Sequence, residues 1–485
     1  MCAFAMLCSA ECRVIPDSVA NPIIPGFNPD PSVCRVGEDY YLVTSSFAFF
    51  PGLPVYHSKD LVNWELVGHA VDENNIDKFH FEGLGDNDGI WAPTIRHHDG
   101  KFYISSTMWR GGGNFILIAD NPAGPWSDPV WVPDASGIDP TLFWDEDGKA
   151  YYLGNRFDFK QKWPGQVAIH IQEIDLDNQY KGDVGDKKTG LKFEAPVYRL
   201  KGDNVILGFG HAMNAKYAEG PHLYRIDGKY YLLMAEGGSG SHHAVTIHRA
   251  DSISGPYTPQ QINPVLTHRN LGKRYPIQNI GHADIVQTQN GEWYAVCLGN
   301  RHIPSGSPSY EHVCPLGRET WLTKVELQDG QIIMAPETGT VTTRIKRPDL
   351  PWSPARQHTQ EYMPMTDKKI RLRKVVDHNW KYEQTISDNS PECGIVLFRT
   401  VNSNYRLMKT PDSIVLKKVA KGKESTVEEI PYKKKSVTLG IVADGMNLEF
   451  LYDGNRIGET QSILPLCDDG KFNKFNGTGV GYVLK

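Results

Sequence analysis

Short runs of alternating apolar and polar residues dominate residues 21–335, and no long stretch of this region has helical periodicity. A representative segment runs from Ile138 to Phe143, passes through Asp145-Glu-Asp-Gly148 and continues from Lys149 to Leu153. Alternation with β-branched and aromatic residues is typical of strands, and Asp followed by Gly is typical of a tight turn. The pattern therefore predicts a strand, a turn and a second strand.

This strand–turn–strand pattern recurs along the chain. Its turns are marked by Gly37, Gly100, Gly148, Gly228 and Gly291. Seven to nine residues before these glycines stand Asp30, Ala92, Asp139, Glu219 and His282. Five repeats of about four strands are typical of a five-bladed β-propeller, in which equivalent positions converge on the axis. Separate hairpins in a β-sandwich are the alternative, but the nearly constant spacing between these residues and the glycines favours the propeller.

The pattern changes after residue 335. Residues 336–358 are predicted to be a linker, because four prolines interrupt regular structure there. In residues 359–485 apolar and polar residues alternate again. Asp444-Gly445 lies between two such runs, which is a strong hairpin signal. We therefore predict an all-β chain in which residues 21–335 form the propeller and residues 359–485 a small antiparallel β-sandwich. Because the predicted strand from Gly479 has nothing after it, an edge strand of the sandwich is expected to be missing.

Charge and composition narrow the class of partner. The net charge is −6 with both signs interspersed, which argues against a nucleic-acid partner. No apolar run reaches the roughly 18 residues that a membrane span requires. The eight cysteines are scattered, without zinc-site spacing or the density of a disulfide scaffold, so we expect mostly small buried hydrophobes.

Residues 1–20 leave the localisation open. Their first half is apolar and small but lacks the cationic start of a secretion signal. They are either the remnant of a leader, which would place the protein outside the cytoplasm or in the periplasm, or a disordered lead-in of a cytoplasmic protein.

Three of the five equivalent positions carry carboxylates, namely Asp30, Asp139 and Glu219. Two carboxyl groups at one concave site are what glycosidic bond hydrolysis needs, one protonated and one ionised, and a third charge can adjust the pKa of the acid. Each of the three also has a plainer interpretation: Asp30 as an ordinary turn residue, Asp139 as a strand-end residue bonded to local amides, and Glu219 as part of a solvated face. The rival carboxylates are Asp88, Glu236 and Asp284.

Several motifs in order carry a family resemblance. They are Asn21-Pro-Ile-Ile-Pro-Gly-Phe-Asn-Pro-Asp-Pro-Ser32, Ile90-Trp-Ala-Pro-Thr94, Gly137-Ile-Asp-Pro-Thr141, Glu219-Gly-Pro-His-Leu-Tyr224 and Pro315-Leu-Gly-Arg-Glu-Thr320. From Asn21 to about Leu327 the sequence resembles glycoside hydrolase family 43, specifically its β-xylosidase and α-L-arabinofuranosidase members. The resemblance implies a five-bladed propeller and an inverting hydrolase. It also implies that Asp30 is the general base, Asp139 orients the acid and adjusts its pKa, and Glu219 is the general acid.

The resemblance implies a sugar pocket as well. Its substrate-binding residues would be Phe47, Trp91, Ala92, Ser239, His282 and Arg318. Four of them have an alternative: Phe47 and Trp91 as core between blades, Arg318 as an ion pair with Glu319, and His282 as a hydrogen-bonded core histidine. No cofactor is required and no catalytic metal is indicated. The family's matching histidine lies at the axis near a water or a bound cation such as structural Ca²⁺.

The implied activity is the removal of terminal xylose from β-1,4-xylo-oligosaccharides. Release of α-L-arabinofuranosyl groups from arabinoxylan fragments, or both activities together, is the alternative, and a carbohydrate-binding propeller without turnover is the alternative from another class. The oligomeric state, including a homo-oligomer, stays open. The family's long members have a larger C-terminal sandwich that reaches toward the pocket. Because this one is short, we expect the pocket wall from that domain to be missing.

Overall fold

The computed structural model describes residues 16–307, 310–356, 360–387, 393–467 and 475–484. In these ranges nearly all regular structure is β-strand, and the helical elements are the 3-10 turn Ile76–Lys78 and the short α-helix Leu464–Cys467. None of the helices described is long and apolar enough to cross a membrane. The prediction of an all-β chain is confirmed, whereas most of the predicted leader lies outside the described residues.

Each predicted turn joins two antiparallel strands. The five hairpins are Ser32–Val36 with Asp39–Val43, Thr94–His98 with Lys101–Trp109, Thr141–Trp144 with Ala150–Arg156, Glu219–Ile226 with Lys229–Glu236, and Ile277–Gln287 with Trp293–Arg301. The repeated glycine has a positive φ in every copy, from 65° at Gly37 to 84° at Gly291. A residue with a Cβ adopts this conformation at a cost, which explains why the turn repeats glycine.

Three of the hairpins extend into separate antiparallel sheets. The first hairpin adds Gly52–Ser58 and Glu65–Val71; the fourth adds Ala244–Ala250, Thr258–Pro259 and Leu266–Thr267; the fifth adds Glu319–Gln328 and Gln331–Met334. Apolar side chains fill the space between neighbouring sheets. Leu42 of the first, for example, shares a buried cluster with Val296 and Leu322 of the fifth.

The second and third hairpins belong to one nine-stranded sheet instead of two. Its other strands are Gly89–Ile90, Gly113–Ala119, Val130–Trp131, Ala168–Asp186 and Leu191–Gly208. The two halves are joined where Trp131 pairs in parallel with Val197 on the last and unusually long strand. Trp131 is fully buried, so this junction is also an apolar contact.

The first strands of the five hairpins lie side by side. Each contacts the first strand of the next hairpin, and that of the fifth contacts that of the first. The strands therefore close a ring around a common centre.

Two further sheets follow in the chain. The six-stranded sheet contains, in order, Ile370–Lys374, Gly479–Val483, Cys393–Thr400, Ser403–Lys409, Ser413–Ala420 and Lys423–Pro431. The five-stranded sheet contains Asn379–Ile386, Val437–Asp444, Asn447–Tyr452, Asn455–Arg456 and Gln461–Ser462. Leu397 of the first sheet and Phe450 of the second share a buried cluster, so the sheets face each other. We call this pair the C-terminal sheets. The strand predicted from Gly479 is present and lies inside its sheet.

Short pairings tie the two parts of the chain together. The local two-stranded sheet of Ile303–Ser307 with Tyr310–Val313 is not one of them. The linking pairs are Phe49–Phe50 with Met363–Pro364, and Ser18–Ala20 with Arg344–Lys346. The predicted linker thus contains a strand, which forms in a stretch free of proline. Side chains add further links: Asn476 Nδ2 donates to the Asp86 carbonyl at 2.9 Å and Thr478 Oγ1 to the Pro315 carbonyl at 2.7 Å.

Candidate active site

One cavity of about 490 Å³ lies at the centre of the ring. It is lined by all nine residues predicted from the sequence: Asp30, Phe47, Trp91, Ala92, Asp139, Ser239, Glu219, His282 and Arg318. Positions that are far apart in the chain meet because the hairpins surround one centre: Asp30, Asp139 and Glu219 stand at or just before a first strand, and His282 lies within one. Phe47 and Ser239 follow second strands, and Arg318 precedes a third strand. The convergence expected from the repeat is therefore present in the structure.

Asp30 is held by two donors. Arg318 Nη1 donates to Oδ1 at 2.5 Å and Ser45 Oγ donates to Oδ2 at 2.5 Å. The carboxyl is buried, and Asp30 has a φ of 54°, in the left-handed backbone region that residues other than glycine rarely adopt. Asp139 and His282 have the same conformation, with φ of 57° and 48°. Backbone strain of this kind persists where surrounding contacts enforce it, and it is concentrated at functional sites.

Asp139 and Glu219 occupy the third and fourth hairpins. Asp139 Oδ2 accepts a hydrogen bond from the Gly220 amide at 3.1 Å, so the residue after Glu219 is tied directly to Asp139. Burial raises the pKa of Asp139 well above its ordinary value, and the charges of Glu219 and Asp30 raise it further. Glu219 is only half-buried, at the start of Glu219–Ile226. The three carboxylates therefore have different surroundings within one cavity.

Arg318 has donors left for a ligand. It is 7% exposed, and its Nε and Nη2 have no hydrogen-bond partner among the residues that the structure describes. Its guanidinium lies 5.4 Å from the centre of the Phe47 ring and 5.5 Å from that of Phe475. Glu319, the alternative partner, pairs with Arg301 instead. A buried charged donor without a partner is costly, so these nitrogens are placed to bind polar groups that enter the cavity.

Aromatic rings form one side of the cavity. Trp91 stacks on Trp109, with centroids 4.6 Å apart, and Phe47 stacks on Phe475 at 5.8 Å. Phe475 also meets the edge of Trp91 at 5.5 Å. Phe475 precedes the strand Gly479–Val483 of the C-terminal sheets, so the expectation that these sheets lack a pocket wall was wrong. Neither Trp109 nor Phe475 carried a sequence signal, because each is placed by tertiary packing.

The rival carboxylates lie outside the cavity. Asp284 is fully buried and accepts hydrogen bonds from Ser32 at 2.6 Å, from Arg96 at 2.9 Å and from Tyr224. Burial alone would raise the pKa of Asp284, but the positive charge of Arg96 holds it well below its ordinary value. Its partners come from three other hairpins, so Asp284 links four hairpins of the ring to one another. Glu236 pairs with Arg269, and Asp88 accepts a bond from a local amide.

The remaining predicted residues complete the wall. Ala92 and Ser239 contribute small side chains, and His282 is buried, which lowers the pKa of its imidazole. A Cβ on Gly220 would lie 2.9 Å from the His282 ring, so glycine is required for the ring to pack there. His243, Tyr217 and Ile138 also line the cavity and were not predicted.

A cation beside His282 is not supported by the donor set. In the described part of the chain, no group of three or more His, Cys, Asp or Glu side chains is arranged to hold a metal ion. The two carboxylates whose charges act on His282 are Asp30 and Asp284, and both are already paired with arginine. These residues do not fit a protein-built cation site, so we derive no step through a cation.

Comparison with known proteins agrees with this site. Residues 19–332 match the family model of glycosyl hydrolases family 43, which is more than half of the chain. The protein belongs to this family. The match spans the five hairpins and all nine predicted site residues, whereas Phe475 lies outside it.

Named relatives are similar over the same region. A xylosidase/arabinosidase of Butyrivibrio fibrisolvens is 42% identical over 68% of this chain and 59% of the relative. A non-reducing end α-L-arabinofuranosidase of Bacteroides ovatus is 45% identical over 63% of this chain and 51% of the relative. The aligned part thus spans little more than half of these relatives. The crystal structure of a xylan β-1,4-xylosidase of Bacillus halodurans is 27% identical, with a TM-score of 0.82 and 96% of both chains covered.

Proposed function

We propose that this protein is an inverting exo-glycosidase that removes terminal β-1,4-linked xylose from xylo-oligosaccharides. The observation that carries the proposal is the meeting of three carboxylates from three hairpins in one cavity, beside an arginine with unused donors and an aromatic wall. Two carboxyl groups in unlike environments supply acid and base, and the donors bind sugar hydroxyls. A cavity of this size suits the end of a sugar chain.

Each carboxylate has a proposed role. Asp30 is the base that activates water, and Arg318 and Ser45 hold its carboxyl in place. Glu219 is the acid that protonates the leaving oxygen. Asp139 positions the acid through the Gly220 amide, and its charge state influences the acid. In an inverting enzyme the carboxyl groups of base and acid stand about 6.5–9.5 Å apart to admit water, so we expect that separation between Asp30 and Glu219.

The proposed architecture is a five-bladed β-propeller over residues 21–335, a linker over 336–358 and a small β-sandwich over 359–485. The closed ring of five first strands supports the blade count. The joined second and third hairpins are then two blades fused through Trp131 and Val197. The facing C-terminal sheets support the sandwich.

The second candidate is an α-L-arabinofuranosidase, alone or together with xylosidase activity. The name of the 45% identical Bacteroides ovatus relative supports it. Both sugars have five carbons and similar hydroxyls, so the cavity volume does not separate them. Rates with nitrophenyl β-xyloside and nitrophenyl α-L-arabinofuranoside would do so, and equal rates would refute a single-substrate enzyme. The proposed partners are accordingly xylo-oligosaccharides or arabinoxylan fragments.

The test of the acid uses Glu219→Gln with two substrates. General acid catalysis contributes roughly 10²–10⁴-fold, so we expect a loss of about that size with xylobiose. The loss should be much smaller with a nitrophenyl xyloside, whose leaving group needs little protonation. Glu292→Gln, which changes a half-buried glutamate outside the cavity, should lose little with either substrate. An equal loss of Glu219→Gln with both substrates would contradict the role, and a wild type that turns over neither would favour a binding protein.

A further inference from the structure

A second cavity, of about 330 Å³, lies between the first hairpin sheet and the C-terminal sheets. Its walls are largely apolar, and include Phe49, Trp64, Leu66 and Tyr362. Ser45 borders this cavity and also donates to Asp30, so the cavity lies directly behind the candidate active site. We call it the rear cavity. The proposed hydrolysis makes no use of it.

Lys374 brings a cation into the rear cavity. Its Nζ donates to Asn28 Oδ1 at 2.6 Å and to Tyr56 Oη at 3.2 Å, both neutral groups, and lies 5.9 Å from the centre of the Tyr56 ring. No Asp or Glu lines the cavity, and within the described ranges Lys374 forms no ion pair. Burial lowers the pKa of Lys374 to about 7. An ammonium in such surroundings is stabilised by an anion.

Three other polar groups reach the same cavity. Arg356 is exposed at its edge and forms no ion pair with any residue that the structure describes. Ser46 is 5% exposed, and its Oγ has no hydrogen-bond partner among the described residues. His69 Nδ1 accepts from Gln360 Nε2 at 3.3 Å, which leaves the other ring nitrogen as the donor. The rear cavity therefore presents positive charge and unused hydrogen-bonding groups, and none of the described residues that line it is a carboxylate.

We propose that the rear cavity binds a small organic carboxylate with an aromatic or branched apolar body. The carboxylate would pair with Lys374 and accept from Ser46 or Arg356, and the apolar body would lie against Phe49, Trp64 and Leu66. A hydrated inorganic anion would leave these apolar walls uncovered, and a neutral ligand would leave the ammonium without a counter-charge. The apolar walls and the cationic groups of the cavity together therefore favour an anion that also has an apolar body.

Calorimetric titration of the full chain with benzoate at pH 6 tests the proposal. We expect one benzoate per chain, at least tenfold weaker binding of benzyl alcohol and of sulfate, and no competition from xylose, which would occupy the active site. Lys374→Met should weaken benzoate binding at least tenfold, and Arg356→Gln severalfold without risk to the core. The matched controls Lys423→Met and Arg35→Gln, at exposed positions away from the cavity, should bind as the wild type does.

The pH dependence adds a second readout. Of the other ionisable groups that line the cavity, Arg356 is a guanidinium, which side-chain chemistry keeps cationic in proteins. Tyr56 and Tyr362 stay neutral because burial raises their pKa, and His69 stays neutral because burial lowers its pKa to about 3. Only Lys374 titrates in the range used, so benzoate affinity should fall about 30-fold from pH 6 to pH 8.5, following its protonated fraction. The fall should vanish in Lys374→Met. Undetectable binding, equal binding of benzyl alcohol, displacement by xylose, or unchanged affinity in both Lys374→Met and Arg356→Gln would overturn the proposal.

Discussion

Arg318→Lys is the substitution that most directly tests how the cavity handles a sugar. The change keeps the positive charge but replaces a fork of donors with a single ammonium. In the structure one arm of the fork is engaged by Asp30, while Nε and Nη2 are unused among the described residues. If both unused donors bind sugar hydroxyls, the variant loses two hydrogen bonds to a charged group.

The size of the loss follows from those two bonds. Hydrogen bonds to charged groups are worth about 1.5–3 kcal/mol each, so the transition state should lose about 3–6 kcal/mol. At 1.36 kcal/mol per decade this is a fall in kcat/KM of about 10²–10⁴-fold. A purely electrostatic role toward Asp30 would survive in the lysine variant, with a loss of less than about tenfold.

The assay is kcat/KM for nitrophenyl xyloside and for nitrophenyl arabinofuranoside, which report the two candidate activities. Arg301→Lys is the matched control, since Arg301 pairs with the buried Glu319 but lies outside the cavity. It should change thermal stability more than catalysis. A loss of less than tenfold in Arg318→Lys with both substrates, in a variant that is folded, would refute the assignment of its free donors to the sugar.

Three further outcomes are expected. Asp139→Asn should lower activity yet raise the melting temperature at pH 7, because ionising a buried acid with a raised pKa costs folding free energy. The gain in melting temperature should shrink toward pH 4, where the wild-type acid is protonated. An equal loss of stability at both pH values would contradict this prediction. Phe475→Ala should raise KM more than it lowers kcat, by about 1–2 kcal/mol, in steady-state assays, whereas Phe159→Ala, outside the cavity, should not. Burial lowers the pKa of Lys374 to about 7, so the unfolded chain binds the Lys374 proton more tightly than the folded protein does. In denaturant titrations the free energy of unfolding of the wild type should therefore rise, relative to Lys374→Met, by about 1.4 kcal/mol per pH unit above pH 7. Parallel pH curves for the two proteins would argue against this prediction.

The repeat predicted that four of the candidate residues would meet, because it marks equivalent positions in successive hairpins. Asp30, Asp139, Glu219 and His282 share a cavity since they hold equivalent places before a glycine turn whose geometry is local. Local chemistry of this kind can be inferred from one chain. The catalytic roles of these residues stay predictions.

Packing between residues far apart in the chain could not be predicted from the repeat. Nothing near Phe475 in the sequence indicates that it stacks on Phe47, and the expected gap in the wall was wrong for that reason. The pairing of Trp131 with Val197, which joins two hairpins into one sheet, depends on a long excursion of the chain. Asp284 was a reasonable rival until its pairing with Arg96 from another hairpin was visible.

The origin of Phe475 has a consequence for how this enzyme family could diversify. The acids stand on the ring of hairpins, whereas this ring-facing phenylalanine arrives on a separate segment, anchored by its own amide to Asn87 Oδ1 at 3.1 Å and by the neighbouring Asn476 to Asp86. If the proposed roles hold, reactivity and sugar selectivity are encoded in parts of the gene that can vary independently. A library confined to that segment could explore new sugars while every proton-transferring group stayed as it is.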